Sequence, residues 1–151
     1  MNRILRTTIG TAAAGLIATL IATAALAEGM THKIAVHVDQ NDPAIMNIAL
    51  NNIENLTAYY KEKGDDVIVE LVAHGPGLNM FVAGKSPVAD RIETMALAMD
   101  HMTFSACGNT HRNMSKKAGK EIPLLSEAGI VPSGVVRLVE LQEDGYSYVK
   151  P

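Results

Sequence analysis

The sequence predicts an α/β domain built on an open, mostly parallel five-stranded sheet with helices on both faces. Three observations predict it. Short apolar runs alternate along the chain with segments whose apolar residues recur at helical spacing. Within the first runs nearly every residue is apolar, as in strands covered on both faces, rather than every second one. The strict alternation of strand and helix gives parallel strands joined by right-handed crossovers.

The elements follow in order. Residues 33–38 form the first strand. Asp42 caps the next helix and Pro43 takes its first position. Ile45, Ile48, Ala49, Ile53, Leu56 and Tyr60 make its inner face, and Gly64 ends it. Residues 67–73 are a second strand running into the loop His74-Gly75-Pro76-Gly77. Ser86-Pro87 opens a second helix, with Val88, Ile92, Met95, Ala96 and Met99 inward. Residues 102–106 are the third strand. Cys107-Gly108-Asn109-Thr110 turns from it into a short helix carrying His111, Met114 and Ala118. A polar link over 116–123 leads to a fourth strand, 128–131. Ser133 caps a helix with Val135, Leu138, Val139 and Gln142 on one side. Asp144-Gly145 is a turn, and 146–149 is the last strand. Together they describe a doubly wound sheet of flavodoxin-like type.

Residues 1–27 read as a secretory signal peptide, which leaves 28–151 as the domain. Arg3 and Arg6 make a positive start, residues 9–26 carry no charge, and Ala25-Leu26-Ala27 is a small-residue cleavage site. The arginines are not adjacent, so the Sec route and a periplasmic destination are expected. The uncharged run is rich in Ala and Thr, too weakly apolar for a good membrane anchor. The mature form is therefore expected to carry no membrane segment. The chain has a net charge of −3; without residues 1–27 it becomes −5, from 11 basic and 16 acidic residues. That balance argues against nucleic acid and anionic lipid as partners.

The single cysteine, Cys107, allows no internal disulfide. In an oxidising compartment a lone thiol is either buried and inert or kept for its reactivity. Its place between a strand end and a helix start favours the second reading. The unpaired N–H groups and positive dipole end of a helix stabilise a thiolate there. Gly108 lets the backbone come close, and Asn109 or Thr110 can cap the helix. Ligands of parallel sheets bind beyond the carboxyl ends of the strands. If the first three strands are neighbours, His74 and His111 join Cys107 on one rim as acid–base groups or ligands. His37, inside an apolar strand, reads as a satisfied core histidine. His32 and His101 read as surface residues.

Other chemistries are absent or weaker. The sequence contains no GxGxxG, no Walker lysine loop, no GxSxG and no CxxC. Cys107, His111, His74 and either Met80 or Met114 would form a soft ligand set suited to copper. The methionines fit helical core positions equally well, and no paired spacing of zinc-site quality occurs. No metal or other cofactor is expected.

Two stretches resemble a known family. The segment Phe104-Ser105-Ala106-Cys107-Gly108-Asn109-Thr110 is similar to the cysteine motif of the DsrE/DsrF-like family. The tail is similar too, in Val131-Pro132-Ser133-Gly134-Val135 and in residues 141–151. The resemblance spans nearly all of 32–151. It implies a flavodoxin-like sheet and assembly as a homotrimer or homohexamer. It also implies a sulfur carrier whose cysteine accepts a sulfane sulfur as a persulfide and passes it on. The relay partners of the family are cytoplasmic, whereas this chain carries an export signal.

The expected function is periplasmic sulfur binding or transfer. Cys107 would be the nucleophile, the 108–110 backbone would hold its thiolate, and His111 or His74 would move the proton. A protein or a small sulfur compound would donate and accept the sulfur. Two alternatives stand beside it: a copper- or small-ligand-binding module on the same rim, and a structural subunit whose cysteine is merely buried.

Overall fold

A computed structural model describes residues 29–151, so the predicted signal segment and its cleavage site lie outside the described residues. Strand β1 is Thr31–Val38, helix α1 Pro43–Glu62 and strand β2 Asp66–Ala73. A 3-10 helix, Gly75–Phe81, precedes helix α2, Ala89–Ala98. Strand β3, Met102–Cys107, leads directly into helix α3, Gly108–Ala118. Strand β4, Ala128–Val131, helix α4, Gly134–Glu143, and strand β5, Ser147–Val149, complete the order.

The five strands make one sheet in the order β4-β3-β2-β1-β5, and every pairing is parallel. Right-handed crossovers then settle the faces. The steps from β1 to β4 all move in one direction, which carries α1, α2 and α3 over the same face. The step from β4 back to β5 runs the other way, so α4 alone covers the opposite face. The packing agrees. Val36, Val38, Leu71, Ala73, Phe104 and Ala106 meet Met46, Leu50, Ile53 and Ile92 in the main core. Ala35 and Val72 meet Leu138 and Leu141 in a smaller one. Alternation along the strands therefore turns His37, Ser105 and Cys107 to the α4 face.

Most predicted elements form where their patterns place them. Asp42 caps α1, accepting the Ala44 N–H at 2.7 Å, with Pro43 first in the helix. Two boundaries move for local reasons. Ser86 does not cap α2; its hydroxyl donates to the Met80 carbonyl and accepts from the Val88 N–H, closing a turn before the helix starts at Ala89. The loop predicted after His74 is the 3-10 helix, because Leu78, Met80 and Phe81 are drawn fully into the core. Met80 thus acts as core, and Met114 packs against the same cluster. Met80 is fully buried away from the rim, whereas Met114 is half-buried and lines the cleft beside Gly75 and Thr110.

Beneath α4, a buried polar contact anchors the helix to the sheet. Glu70 is 5% exposed and accepts the Ser105 hydroxyl at 2.6 Å. Arg137 of α4 donates to both its oxygens, each at 2.7 Å. Burial alone would push the Glu70 carboxyl up; the Arg137 and Ser105 hydrogen bonds outweigh it and hold the group below its usual range. The sign follows from linkage: the contribution is complete above the ordinary carboxyl value and is lost as pH falls through the lowered one. Arg137→Met should cost about 2 kcal/mol at pH 7, less than a fully buried pair because the guanidinium reaches solvent. The difference between the urea midpoints of variant and parent should narrow towards pH 3. An equal difference at both values would contradict this account.

Candidate functional site

Cys107 ends β3 and occupies the N-cap position of α3, with extended backbone angles (φ −65°, ψ 112°). Helix starts leave N–H groups without partners inside the helix, and no side chain caps this one. The Asn109 side chain is held instead by Arg112. The Thr110 oxygen accepts the Gly75 N–H across the rim at 2.9 Å. The caps predicted at Asn109 and Thr110 are thus not made, since both side chains are engaged elsewhere. The sulfur receives the free donors.

Those donors come from two helices. The N–H groups of Asn109 and Thr110 in α3 and of Gly134 in α4, with the Thr110 hydroxyl, all favour the thiolate form of Cys107. With its oxygen accepting from Gly75, Thr110 has its proton directed at the sulfur. Burial pushes the Cys107 thiol up, since the residue is only 4% exposed. These groups outweigh that cost, and the thiol lies below its ordinary range. Cys107 is therefore both buried and polar in its surroundings, a combination that the choice between buried and reactive did not anticipate.

Two glycines make the arrangement sterically possible. A Cβ on Gly134 would lie 2.9 Å from the His74 Cβ and 3.0 Å from that of Cys107. Only a bare Cα lets α4 start against the sulfur. A Cβ on Gly108 would lie 2.9 Å from the Val131 carbonyl and 3.2 Å from Ile130. The close approach expected at Gly108 is thus made to β4, and it seats α3 rather than clearing a path for substrate.

The histidines divide. The sheet order makes the ends of β1, β2 and β3 neighbours. His74, one residue past β2, is half-buried and shares the space over Gly134 with Cys107. His111 is buried and donates from Nε2 to the Ile122 carbonyl at 2.7 Å, tying α3 to the segment before β4. It is not among the groups that bear on the sulfur. His32 is half-buried rather than a surface residue, stacked on Tyr60 at 3.6 Å and bonded to Asp65 at 3.1 Å.

Sequence reasoning missed Gly134 and mistook His37. The Ser133-Gly134 pair signals a helix start, but not that the start returns over β2 and β3. His37 is only half-satisfied. Its Nδ1 meets the Tyr148 hydroxyl at 2.6 Å, while its Nε2 is buried without a partner.

Two cavities lie near α3 and α4, and Cys107 lines neither. A cleft of 450 Å³ between the 3-10 helix and α3 is lined by Gly75, Pro76, Asn79, Thr110, Asn113 and Lys117. A larger one of 540 Å³, between α4 and the β3–β4 edge, contains Glu70, Ser105 and Arg137 but not Cys107. Among the described residues no group of three His, Cys, Asp or Glu side chains is placed to hold a metal ion.

Thr110→Val removes the directed hydroxyl and keeps the shape. Alkylation of Cys107 near pH 7 should slow several-fold as the thiol moves back towards its ordinary range. Gly134→Ala should do the same and lower the urea midpoint as well. An unchanged pH profile in Thr110→Val would remove the hydroxyl from the account.

No curated protein matches the sequence. A solved structure of a protein of unknown function from Methanobacterium thermoautotrophicum is similar, with 26% identity and a TM-score of 0.66. The match covers 80% of this chain and 99% of that one. The sequence pattern of the DsrE/DsrF-like family matches residues 4–151, almost the full length. With the cysteine at the end of β3 and an open parallel sheet carrying it, the chain belongs to the DsrE/DsrF-like family.

Proposed function

We propose that the protein binds and transfers sulfane sulfur in the periplasm, with Cys107 as the carrier. The observation that carries this reading is the convergence of N–H donors from two helices, with the Thr110 hydroxyl, on one lone thiol. Family membership supports the sulfur chemistry. The signal-like residues 1–27 support the location.

The step is a sulfur-for-proton exchange without net oxidation. His74 takes the Cys107 proton. The thiolate attacks the outer sulfur of a persulfide or polysulfide donor, R–S–S⁻. A new S–S bond forms on Cys107, the donor's S–S bond breaks, and its electron pair leaves on R–S⁻. Delivery reverses the pattern: an acceptor thiolate attacks the outer sulfur and Cys107 leaves as thiolate. The donors that lower the thiol's proton affinity also make it the better leaving group. The Gly134, Asn109 and Thr110 N–H groups hold the charge in both directions.

The partner is a protein or small compound that carries sulfane sulfur. The acidic balance disfavours nucleic acid, and no helix of the described residues is long and apolar enough to cross a membrane. A homotrimer or homohexamer is part of the proposal. Val135, Val136 and Val139 of α4, each at least half exposed, support it as an apolar face suited to self-association.

Exposure to polysulfide should add one sulfur, about 32 Da by intact mass, and a reducing thiol should reverse it. Cys107→Ser should take up none and keep its fold. A native thiol that gains no mass and resists alkylation would make Cys107 a packing residue and end this reading.

A further inference from the structure

Among the described residues only three buried side-chain polar atoms lack a partner, and two of them, His37 Nε2 and Asp39 Oδ1, are at the end of β1. His37 is 7% exposed, so its idle nitrogen is not facing water. A buried polar atom left without a partner is costly, so its retention calls for a use in some state of the protein.

The surroundings of His37 indicate which state. Its Nδ1 is bonded to Tyr148 of β5 on one side. On the β2 side the His74 ring lies 4.5 Å away, centroid to centroid, at a 31° tilt. That geometry is near-stacked, and the two rings share no hydrogen bond. Tyr148 is 43% exposed and can give its own proton to water. Its oxygen is then free to accept Nδ1–H, which leaves Nε2 as a bare acceptor beside His74.

We propose that His37 is a positioning residue for His74: once His74 takes the Cys107 proton, its ring turns and donates an N–H to the idle Nε2 of His37. This rests on the reading of Cys107 as a nucleophile. The proton moves from Sγ to His74 and stops there; His37 accepts only a hydrogen bond. His37 suits that part because burial, and next the like charge of His74, lower it to about 4. It stays uncharged at neutral pH and offers a lone pair rather than a repelling charge. The other charged or titratable groups facing the pair are Asp39 at the end of β1, Lys150 and Tyr148 on the β5 side, and Cys107 below α4. Lys150 is bonded to Asp39 at 2.6 Å, which largely balances the two. Helix α4 presents only Gly134 here.

The test follows the His74 ring by NMR across pH in the parent, His37→Leu and Tyr148→Phe, with Cys107 alkylation measured on the same samples. Loss of the acceptor should move the His74 transition to lower pH in His37→Leu, and by less in Tyr148→Phe. Alkylation near neutral pH should fall in step. A lower melting temperature with an unmoved His74 midpoint would make His37 a packing residue and overturn the proposal. If His37→Leu does not fold, Tyr148→Phe decides alone: an unmoved midpoint there overturns it. Polysulfide loading of the parent separates the two readings. A parent that takes up no sulfur while His74 still shifts leaves the histidine pair standing and removes sulfur transfer.

Discussion

Gly134 lies where any side chain would collide with both His74 and Cys107, and the first turn of α4 can reach the sulfur only across that bare Cα. The other features of the site depend on this contact. A single helix start beside a cysteine is common and stabilises a thiolate modestly. Two starts meeting on one sulfur, with a hydroxyl whose proton is directed by Gly75, outweigh the cost of burial. Neither helix start is capped by a side-chain hydrogen bond, and Cys107 lies against both.

The same helix links stability to chemistry. Arg137 sits one turn beyond Gly134 and grips Glu70, which is itself bonded to Ser105 of the strand that ends in Cys107. The buried ion pair therefore fixes α4 relative to β2 and β3, the two strands that present His74 and Cys107. A slip of α4 along the sheet would break a charge pair before it withdrew the Gly134 N–H. Ion pairs of this type are weak as net stabilisers, but they penalise alternatives in which one partner is left unpaired. Here the alternative excluded is a displaced helix and an unsupported thiolate.

Polar groups on the α4 face form layers along the strands. Glu70, Ser105 and Arg137 make the lower layer and are fully satisfied. His37, His74, Asp39 and Cys107 make the upper one, where two buried atoms remain without partners. The contrast separates structural from functional polarity on one face. The opposite face carries the apolar core under three helices, and its buried polar groups, the Thr57 hydroxyl and His111, belong to the helices rather than the strands.

The strands, the helices, their parallel arrangement and the importance of Cys107 were legible in the chain because they rest on local rules. Alternating runs, Asp42-Pro43, and a cysteine followed by glycine at a strand–helix junction need no knowledge of distant neighbours. The Asp42 N-cap belongs to the same class. What only the tertiary structure decided is which groups meet. His111 is four residues from Cys107 in sequence, yet it turns to the Ile122 carbonyl. Gly134 is 27 residues from Cys107, yet it touches the sulfur's neighbourhood. His37 reads as an ordinary core residue until β5 supplies Tyr148 and leaves Nε2 idle. The reason is the return from β4 to β5 across the other face, which reverses direction in the sheet. Crossover direction is set by the packing of the whole chain, and no local pattern of residues encodes it.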